Sequence, residues 1–155
     1  MHIDIPGFGI LKLKHLVSDY TGTLSHDGKL ISGVSEMLAE LSRIFTIHVL
    51  TADTFGMATS ELSGITCSIQ ILSGSNVAEQ KQSYVEALGA DSVIAIGNGN
   101  NDKFMLKTAR VGIAVMEGDG CAAIAIANAD VVARNIHEAL GMILHPKRLI
   151  ANLRC

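Results

Sequence analysis

Short apolar runs alternate with helix-like segments along most of the chain, and this alternation constrains the fold more than any other feature of the sequence. The apolar runs predict strands at residues 15–18, 45–50, 67–72, 92–96, 111–115 and 130–132. The segments between and after them predict helices at residues 35–42, 54–62, 78–88, 102–108, 121–127 and 136–144. Such alternation is typical of a parallel sheet with helices on both faces. We therefore expect an α/β fold with three layers, of the Rossmann-like kind.

Two stretches depart from this alternation. Residues 1–14 carry apolar residues on both sides of a Pro-Gly-Phe-Gly turn and predict an edge hairpin. Residues 24–31 surround Asp27-Gly28, a dipeptide that favours a two-residue hairpin turn. The second hairpin would stand over the strand that ends at Asp19. A chain of 155 residues is long enough for one domain, and we expect residues 1–155 to form a single one.

The composition argues against some classes of binding partner and indicates a cellular location. The net charge of -3 gives no electrostatic reason to expect nucleic acid or an anionic membrane. No apolar run approaches the roughly 18 residues that a membrane span needs. The 3 cysteines are odd in number and lack metal-type spacing, so a disulfide framework is not expected and a reducing cytoplasm fits better. We expect a soluble cytoplasmic protein.

Several polar residues follow the predicted strands at the edge where parallel sheets bind ligands. Asp19 ends the first main strand, Thr51 ends the second, and Gly-Asn-Gly-Asn-Asn-Asp (97–102) follows the fourth. Lys81 lies near the start of the helix before that fourth strand. A carboxylate can accept a phosphoryl group covalently, while an ammonium and a hydroxyl stabilise its charge. Together with Mg²⁺ on hard oxygen ligands such as Asp19 and Asp102, this set suits phosphoryl transfer.

In this order, these residues resemble the motifs of the haloacid dehalogenase superfamily of phosphohydrolases, and within it the phosphorylation domain of P-type ATPases. The P-type signature is Asp-Lys-Thr-Gly-Thr, and residues 19–23 read Asp-Tyr-Thr-Gly-Thr. Thr51 matches the second motif, a strand-terminal Thr or Ser, and Lys81 matches the third. Residues 97–102 match the fourth motif, Gly-Asp-Gly-x-Asn-Asp, except at Asn98.

The resemblance covers residues 15–132 and implies a role for each matching residue. Asp19 would be the nucleophile that carries the phosphoryl group, and Lys81 would neutralise charge beside it. The phosphate would be bound by Thr51, Lys81, Gly22 and Thr23. A Mg²⁺ ion would be held by Asp19, the Thr21 main-chain carbonyl, Asn98 and Asp102, with Asn101 in support.

Two departures from the family pattern bear on rate and on metal binding. Most phosphatases of the superfamily carry an Asp two residues after the nucleophile, as general acid and then base, and here that residue is Thr21. Asn98 replaces the acidic residue that often contacts the metal, and its amide oxygen carries no charge. The resemblance therefore implies a Mg²⁺-dependent phosphatase with slow dephosphorylation and weakened metal binding.

The spaces between the motifs leave no room for a cap domain. Residues 24–50 and 52–80 are used by the predicted strands and helices of the sheet itself. We expect a capless enzyme that acts on phosphate esters or anhydrides, on either a small molecule or a macromolecule. Its site would be closed by a neighbouring subunit of a homo-oligomer or by a large substrate.

The alternative is a non-catalytic phospho-acceptor or binding module on the same fold. Receiver domains also combine an acceptor Asp, a Thr and a Lys, but they place the acidic metal pair early and the acceptor on the third strand. Here the acceptor candidate comes early and Asp102 late, which argues against a receiver. Lys103 and Lys107 are rival cations to Lys81, and the loop at residues 116–121 is assigned no chemistry.

Overall fold

The computed structural model describes residues 1–52 and 56–155. Its strands are β1 His2–Ile5, β2 Gly9–Lys12, β3 His15–Asp19, β4 Ser25–His26, β5 Lys29–Leu30, β6 Thr46–Thr51, β7 Ser68–Ile71, β8 Val93–Gly97, β9 Val111–Val115 and β10 Val131–Ala133. Its α-helices are α1 Val34–Leu41, α2 Met57–Glu61, α3 Val77–Ala87, α4 Lys103–Thr108, α5 Ala123–Ala127, α6 Ile136–Leu144 and α7 Pro146–Leu153. Short 3₁₀ turns lie at Ala90–Ser92 and Asn100–Asp102.

Six strands form one parallel sheet in the order β10-β9-β8-β3-β6-β7. The inner strands β3, β8 and β9 are almost wholly buried, as expected for strands covered on both faces. Helices α1, α6 and α7 pack against one face, and α3, α4 and α5 against the other. The predicted three-layer α/β fold is confirmed, and no inserted cap domain is present in the described ranges.

The predicted elements differ from the observed ones mainly at their ends. The predicted helix at 54–62 begins in residues outside the described part of the chain, and the observed helix α2 is shorter. The prediction stopped at residue 144 and missed α7, which starts at Pro146 and buries Leu149 and Leu153. Proline suits the first turn of a helix, and leucines four residues apart share one face. Both signals for α7 were therefore present in the sequence.

Both hairpins lie outside the six-stranded sheet. Strands β1 and β2 pair antiparallel as a separate ribbon and do not extend the sheet's own edge. Strands β4 and β5 pair around Asp27 and Gly28, whose φ values of 49° and 79° both lie in the left-handed region. A two-residue turn with two positive φ values is the one that Asp-Gly favours. We call this β4–β5 hairpin the flap.

No helix in the described ranges is long and apolar enough to cross a membrane.

Candidate active site

The site lies at the carboxyl edge of the parallel sheet, over its middle strands. Strand β3 lies between β6 and β8 and ends at Asp19. Strand β6 ends at Thr51, and β8 ends at Gly97, directly before Asn98. Because all three strands run in the same direction, their last residues meet at one edge. The topology thus brings together residues that are far apart in the chain.

Lys81 lies between two carboxylates in the centre of this edge. Its Nζ donates to Asp19 Oδ1 at 2.5 Å and to Asp102 Oδ1 at 2.6 Å. The side chains of Lys81, Asp19 and Asp102 are only 1%, 8% and 0% exposed, respectively. Charges buried this deeply are normally paired, as they are here. With all three ionised, two carboxylates and one ammonium leave the cluster one negative charge in excess.

Burial and neighbouring charges shift the pKa values in this cluster. Burial, together with the charge of Asp102, raises the pKa of Asp19 from 3.8 to about 6 and outweighs the opposite effect of Lys81. Burial alone would lower the pKa of Lys81, but the two carboxylates outweigh it and raise that pKa. Lys81 therefore stays charged at neutral pH, while Asp19 is a more basic carboxylate than one in water.

The loop after β3 adds a hydroxyl to the cluster. Thr23 Oγ1 lies 3.3 Å from Asp19 Oδ2 and 3.1 Å from Asn98 Oδ1, and its single proton can serve one of them at a time. Gly22, with φ 74°, brings this loop against Asn98: a Cβ at Gly22 would lie 2.6 Å from Asn98 Nδ2. A side chain at residue 22 would therefore push Asn98 away from Thr23.

The turn after β8 holds Asp102 by its backbone. Asp102 Oδ2 accepts hydrogen bonds from the main-chain nitrogens of Asn98 at 2.9 Å and Gly99 at 2.8 Å. A Cβ at Gly97 would lie 2.6 Å from Asp102 Cγ, so only glycine leaves room for the carboxylate there. These bonds fix Asp102 in the orientation that points its other oxygen at Lys81.

The remaining predicted site residues differ in exposure. Thr51 Oγ1 is buried and has no hydrogen-bond partner within residues 1–52 and 56–155, so it can donate to a ligand. Thr21 and Asn101 are exposed, and Thr21 forms an isolated bridge to Ser25 at the start of the flap. The rival cation Lys103 turns instead to Asn100 Oδ1 at 3.2 Å.

The walls of the site include contacts that the sequence analysis did not find. Tyr20 Oη donates to the carbonyl of Gly28 at 2.9 Å and so ties the turn of the flap to the residue after Asp19. On the other side, Asn98 Nδ2 donates to the carbonyl of Gly120 at 3.4 Å. His26 on the flap lies 3.4 Å from Asp119. The loop at residues 116–121 thus joins the flap and Asn98, although no motif signals it.

The donors at this edge fit a hard divalent cation. The described residues contain no group of three or more His, Cys, Asp and Glu side chains placed to hold a metal ion by themselves. Asp19, Asp102 and Asn98 instead offer carboxylate and amide oxygens, to which the Thr21 carbonyl can be added. These are the ligands that Mg²⁺ prefers, and the excess negative charge of the cluster favours a cation. The donor set therefore fits Mg²⁺.

Sequence comparisons give two matches. Residues 78–141 match a family described as haloacid dehalogenase-like hydrolase. A protein of Methanocaldococcus jannaschii, described as uncharacterised, is 44% identical over 62 residues, which are 40% of this chain and 67% of that protein.

Solved structures share the fold over most of its length. A 3-deoxy-D-manno-octulosonate 8-phosphate phosphatase of Moraxella catarrhalis, in complex with magnesium, phosphate and the sugar, has a TM-score of 0.71 at 17% identity, covering 92% of this chain and 94% of that one. The cobalt-bound phosphatase of the same type from Haemophilus influenzae has a TM-score of 0.69 at 16% identity, covering 86% and 88%. A phosphoserine phosphatase in apo form has a TM-score of 0.66 at 15% identity, covering 84% and 98%. At these identities the likeness shows the fold.

Proposed function

This chain belongs to the haloacid dehalogenase-like hydrolases, and we propose that it is a Mg²⁺-dependent phosphatase that works through an aspartyl phosphate on Asp19. The observation that carries the proposal is the buried cluster of Asp19, Lys81 and Asp102 at the carboxyl edge of the sheet. A fold needs no such cluster for stability, because burying charges costs about as much as pairing them returns. Its position where α/β sheets bind ligands supports a catalytic role.

In the first step, a carboxylate oxygen of Asp19 attacks the phosphorus atom. The new O–P bond forms as the bond from phosphorus to the leaving oxygen breaks, and the leaving group departs with that electron pair. The ammonium of Lys81, 2.5 Å from Asp19, offsets charge on the nucleophile and on the phosphoryl oxygens. The unpartnered hydroxyl of Thr51 and the backbone near Gly22 and Thr23 would hold the phosphoryl group.

We propose that Asp19, Asp102, Asn98 and the Thr21 carbonyl hold Mg²⁺. When bound, the ion supplies positive charge to the phosphoryl oxygens and to the nucleophile, whose own environment is one negative charge in excess. Lys81 would then give Asp19 and Asp102 fixed positions whether or not the ion is present. Asn98 contributes an uncharged oxygen, which is expected to make metal binding weaker than an acidic residue would.

In the second step, water attacks phosphorus and releases phosphate from Asp19. The residue two after the nucleophile is Thr21, which cannot act as a base near neutral pH. We propose that the acylphosphate persists for longer than in phosphatases with an Asp there. The likeness of residues 19–23 to the P-type ATPase signature supports this slow second step.

We propose a phosphate ester or anhydride as substrate, on a small molecule or a macromolecule. The octulosonate phosphatases that share the fold act on a phosphorylated sugar acid, which supports a small molecule. A capless site would be narrowed by a neighbouring subunit of a homo-oligomer. The cytoplasm is proposed as its location from the three free cysteines, Cys67, Cys121 and Cys155.

Phosphate release from p-nitrophenyl phosphate, followed with Mg²⁺ and with a chelator, tests the proposed function. We expect release that depends on Mg²⁺ and stops in Asp19→Asn, because an amide is a poor nucleophile. Asp27→Asn is the matched control, since Asp27 is an exposed residue on the flap. Phosphorylation without any release would instead favour the non-catalytic phospho-acceptor.

A further inference from the structure

Strand β7 is an unprotected edge of the main sheet. It pairs with β6 on one side, and no strand among residues 1–52 and 56–155 pairs with it on the other. Ser68, Gln70 and Ile71 are exposed, and Ile71 keeps 55% of its accessible surface. The outer side of β7 thus offers free backbone donors and acceptors beside an exposed apolar side chain.

The sequence around β7 carries neither the charged residues nor the prolines that commonly protect an edge strand. Between Glu61 and Glu79 there is no Asp, Glu, Lys, Arg, His or Pro, although 17% of the whole chain is charged. Natural edge strands are commonly guarded by charged side chains, prolines, bulges or very short length. An exposed, uncharged edge with apolar side chains is a template for pairing with another strand.

The opposite edge of the same sheet shows the protection that β7 lacks. Strand β10 covers only Val131–Ala133 and is flanked by Asp130 and Arg134. The side chain of Arg134 is 82% exposed and pairs with Glu138. One edge of the sheet is therefore flanked by charged residues, and the other is not.

We propose that β7 pairs antiparallel with β7 of a second copy of this chain, joining the two six-stranded sheets across a twofold axis. A strand that pairs with its own copy in this way is self-complementary, because each donor meets the equivalent acceptor. Neither copy brings a charge that would oppose the contact. Ile69 and Ile71 lie on one face of β7, so those of the two copies meet and cover each other.

A groove at the start of β7 also fits this occupant. It has a volume of about 260 Å³, and it is lined by three apolar residues and four with hydroxyl groups: Phe45, Ile47, Cys67, Ser42, Thr46, Thr66 and Ser68. Because the partner strand runs antiparallel, its Ile71 end lies beside the Ser68 end of the first copy, near this groove. The groove gives a side chain of the partner room to pack.

The inference goes beyond the proposed function and does not depend on it. Antiparallel pairing places the two candidate sites at opposite edges of the joined sheet, because the strands of the second copy run the other way. This interface leaves the rim above Asp19 open, and a subunit that narrows that rim would use a different surface.

Light scattering after size-exclusion chromatography, over a range of concentrations, tests the interface with Ile71→Lys. We expect the wild-type chain to be a dimer or a larger even assembly. The variant should have half that size or a dissociation constant at least about tenfold higher, because each lysine would bring a charge into the apolar contact that Ile69 and Ile71 of the two copies form. Val132→Lys places the same charge on the exposed residue of β10 and should leave the size unchanged.

Circular dichroism of both variants checks that they are folded, which the exposure of Ile71 and Val132 predicts. Hydrogen exchange gives a second readout, since the outward amides of β7 should be protected in the wild-type assembly and exposed in Ile71→Lys. A wild-type monomer at the highest concentration would overturn the proposal. An assembly that survives Ile71→Lys unchanged would overturn it as well.

Discussion

At the scale of single residues, Asn98 contacts three separate parts of the site, and the motif that contains it predicts none of these contacts. Its main-chain nitrogen binds Asp102, its Oδ1 accepts from Thr23, and its Nδ2 donates to the carbonyl of Gly120. An amide can do this because it offers a donor and an acceptor on one side chain. The departure from the family pattern at residue 98 therefore has a structural use.

We predict that Asn98→Asp tightens Mg²⁺ binding and lowers the stability of the metal-free protein. The new carboxylate adds a charge beside Asp19 and Asp102, which attracts the ion and should lower its half-saturating concentration roughly tenfold. Without metal, the same charge is repelled and the bond to Gly120 is lost, so the melting temperature should fall. Titration calorimetry with Mg²⁺ and thermal melts in a chelator measure the two effects. An unchanged metal affinity would place residue 98 outside the coordination sphere.

Thr21 is exposed beside the flap, so a larger side chain has room there. We predict that Thr21→Asp speeds breakdown of the phosphoenzyme, because a well-placed carboxylate activates water by roughly 10²–10⁴-fold. Single-turnover decay of the trapped phosphoenzyme measures the rate, and Thr21→Asn controls for shape without the base. Equal decay in all three proteins would mean that another group already activates the water.

At the scale of elements, helix α3 is anchored to the sheet by a partly buried polar network as well as by Lys81. Tyr84, one turn after Lys81, has its hydroxyl 3.0 Å from His48 Nδ1 on β6. His48 Nε2 lies 3.1 Å from His15 Nδ1 on β3. Burial lowers the pKa of both histidines, with the charge of Lys14 adding to the effect at His15 and that of His15 at His48. The network thus holds α3 in place while both rings are neutral.

This network predicts a loss of stability in mild acid. The unfolded chain binds protons as pH falls through 6.5, whereas the folded histidines, with lowered pKa, resist them. The free energy of unfolding should therefore fall as pH drops from about 7 toward 5. His48→Gln keeps a hydrogen-bonding side chain without a titrating group, so its dependence on pH should be shallower.

Urea unfolding of both proteins at several pH values measures this difference. Asp19 has a raised pKa, so its protonation stabilises the folded state as pH falls, opposite to the effect of the histidines. Because Asp19 is present in both proteins, the comparison removes its contribution. Parallel curves for the two proteins would show that His48 does not contribute.

The sequence predicts the positions of buried strands and of tight turns well. It does not predict the hydrogen bonds between loops that are distant in the chain. The inner strands β8 and β9 are near-continuous apolar runs, so their positions could be read directly. The flap could be predicted because Asp27-Gly28 fixes its turn. The bond from Tyr20 to Gly28 and the link from Asn98 to Gly120 could not, because they depend on how separate loops pack.

At the scale of the whole molecule, the parallel sheet gathers one charged cluster from three distant segments. Asp19, Lys81 and Asp102 meet because β3 and β8 are neighbours and α3 crosses beside them. Their positions after predicted strands, or near the start of a helix for Lys81, indicated that these residues share an edge. The sequence could not indicate that Lys81 would contact both carboxylates at once, since this depends on the depth at which α3 packs.

The central claim is that Asp19 carries the phosphoryl group, and intact-mass spectrometry tests it most directly. The protein is incubated with Mg²⁺ and acetyl phosphate and quenched in acid, and its intact mass is measured. The modified residue is then mapped after borohydride reduction. We predict one added phosphoryl group on Asp19, absent from Asp19→Asn and present in Asp27→Asn. Mg²⁺-dependent phosphate release without any phosphoryl group on Asp19, or with turnover kept in Asp19→Asn, would contradict the account.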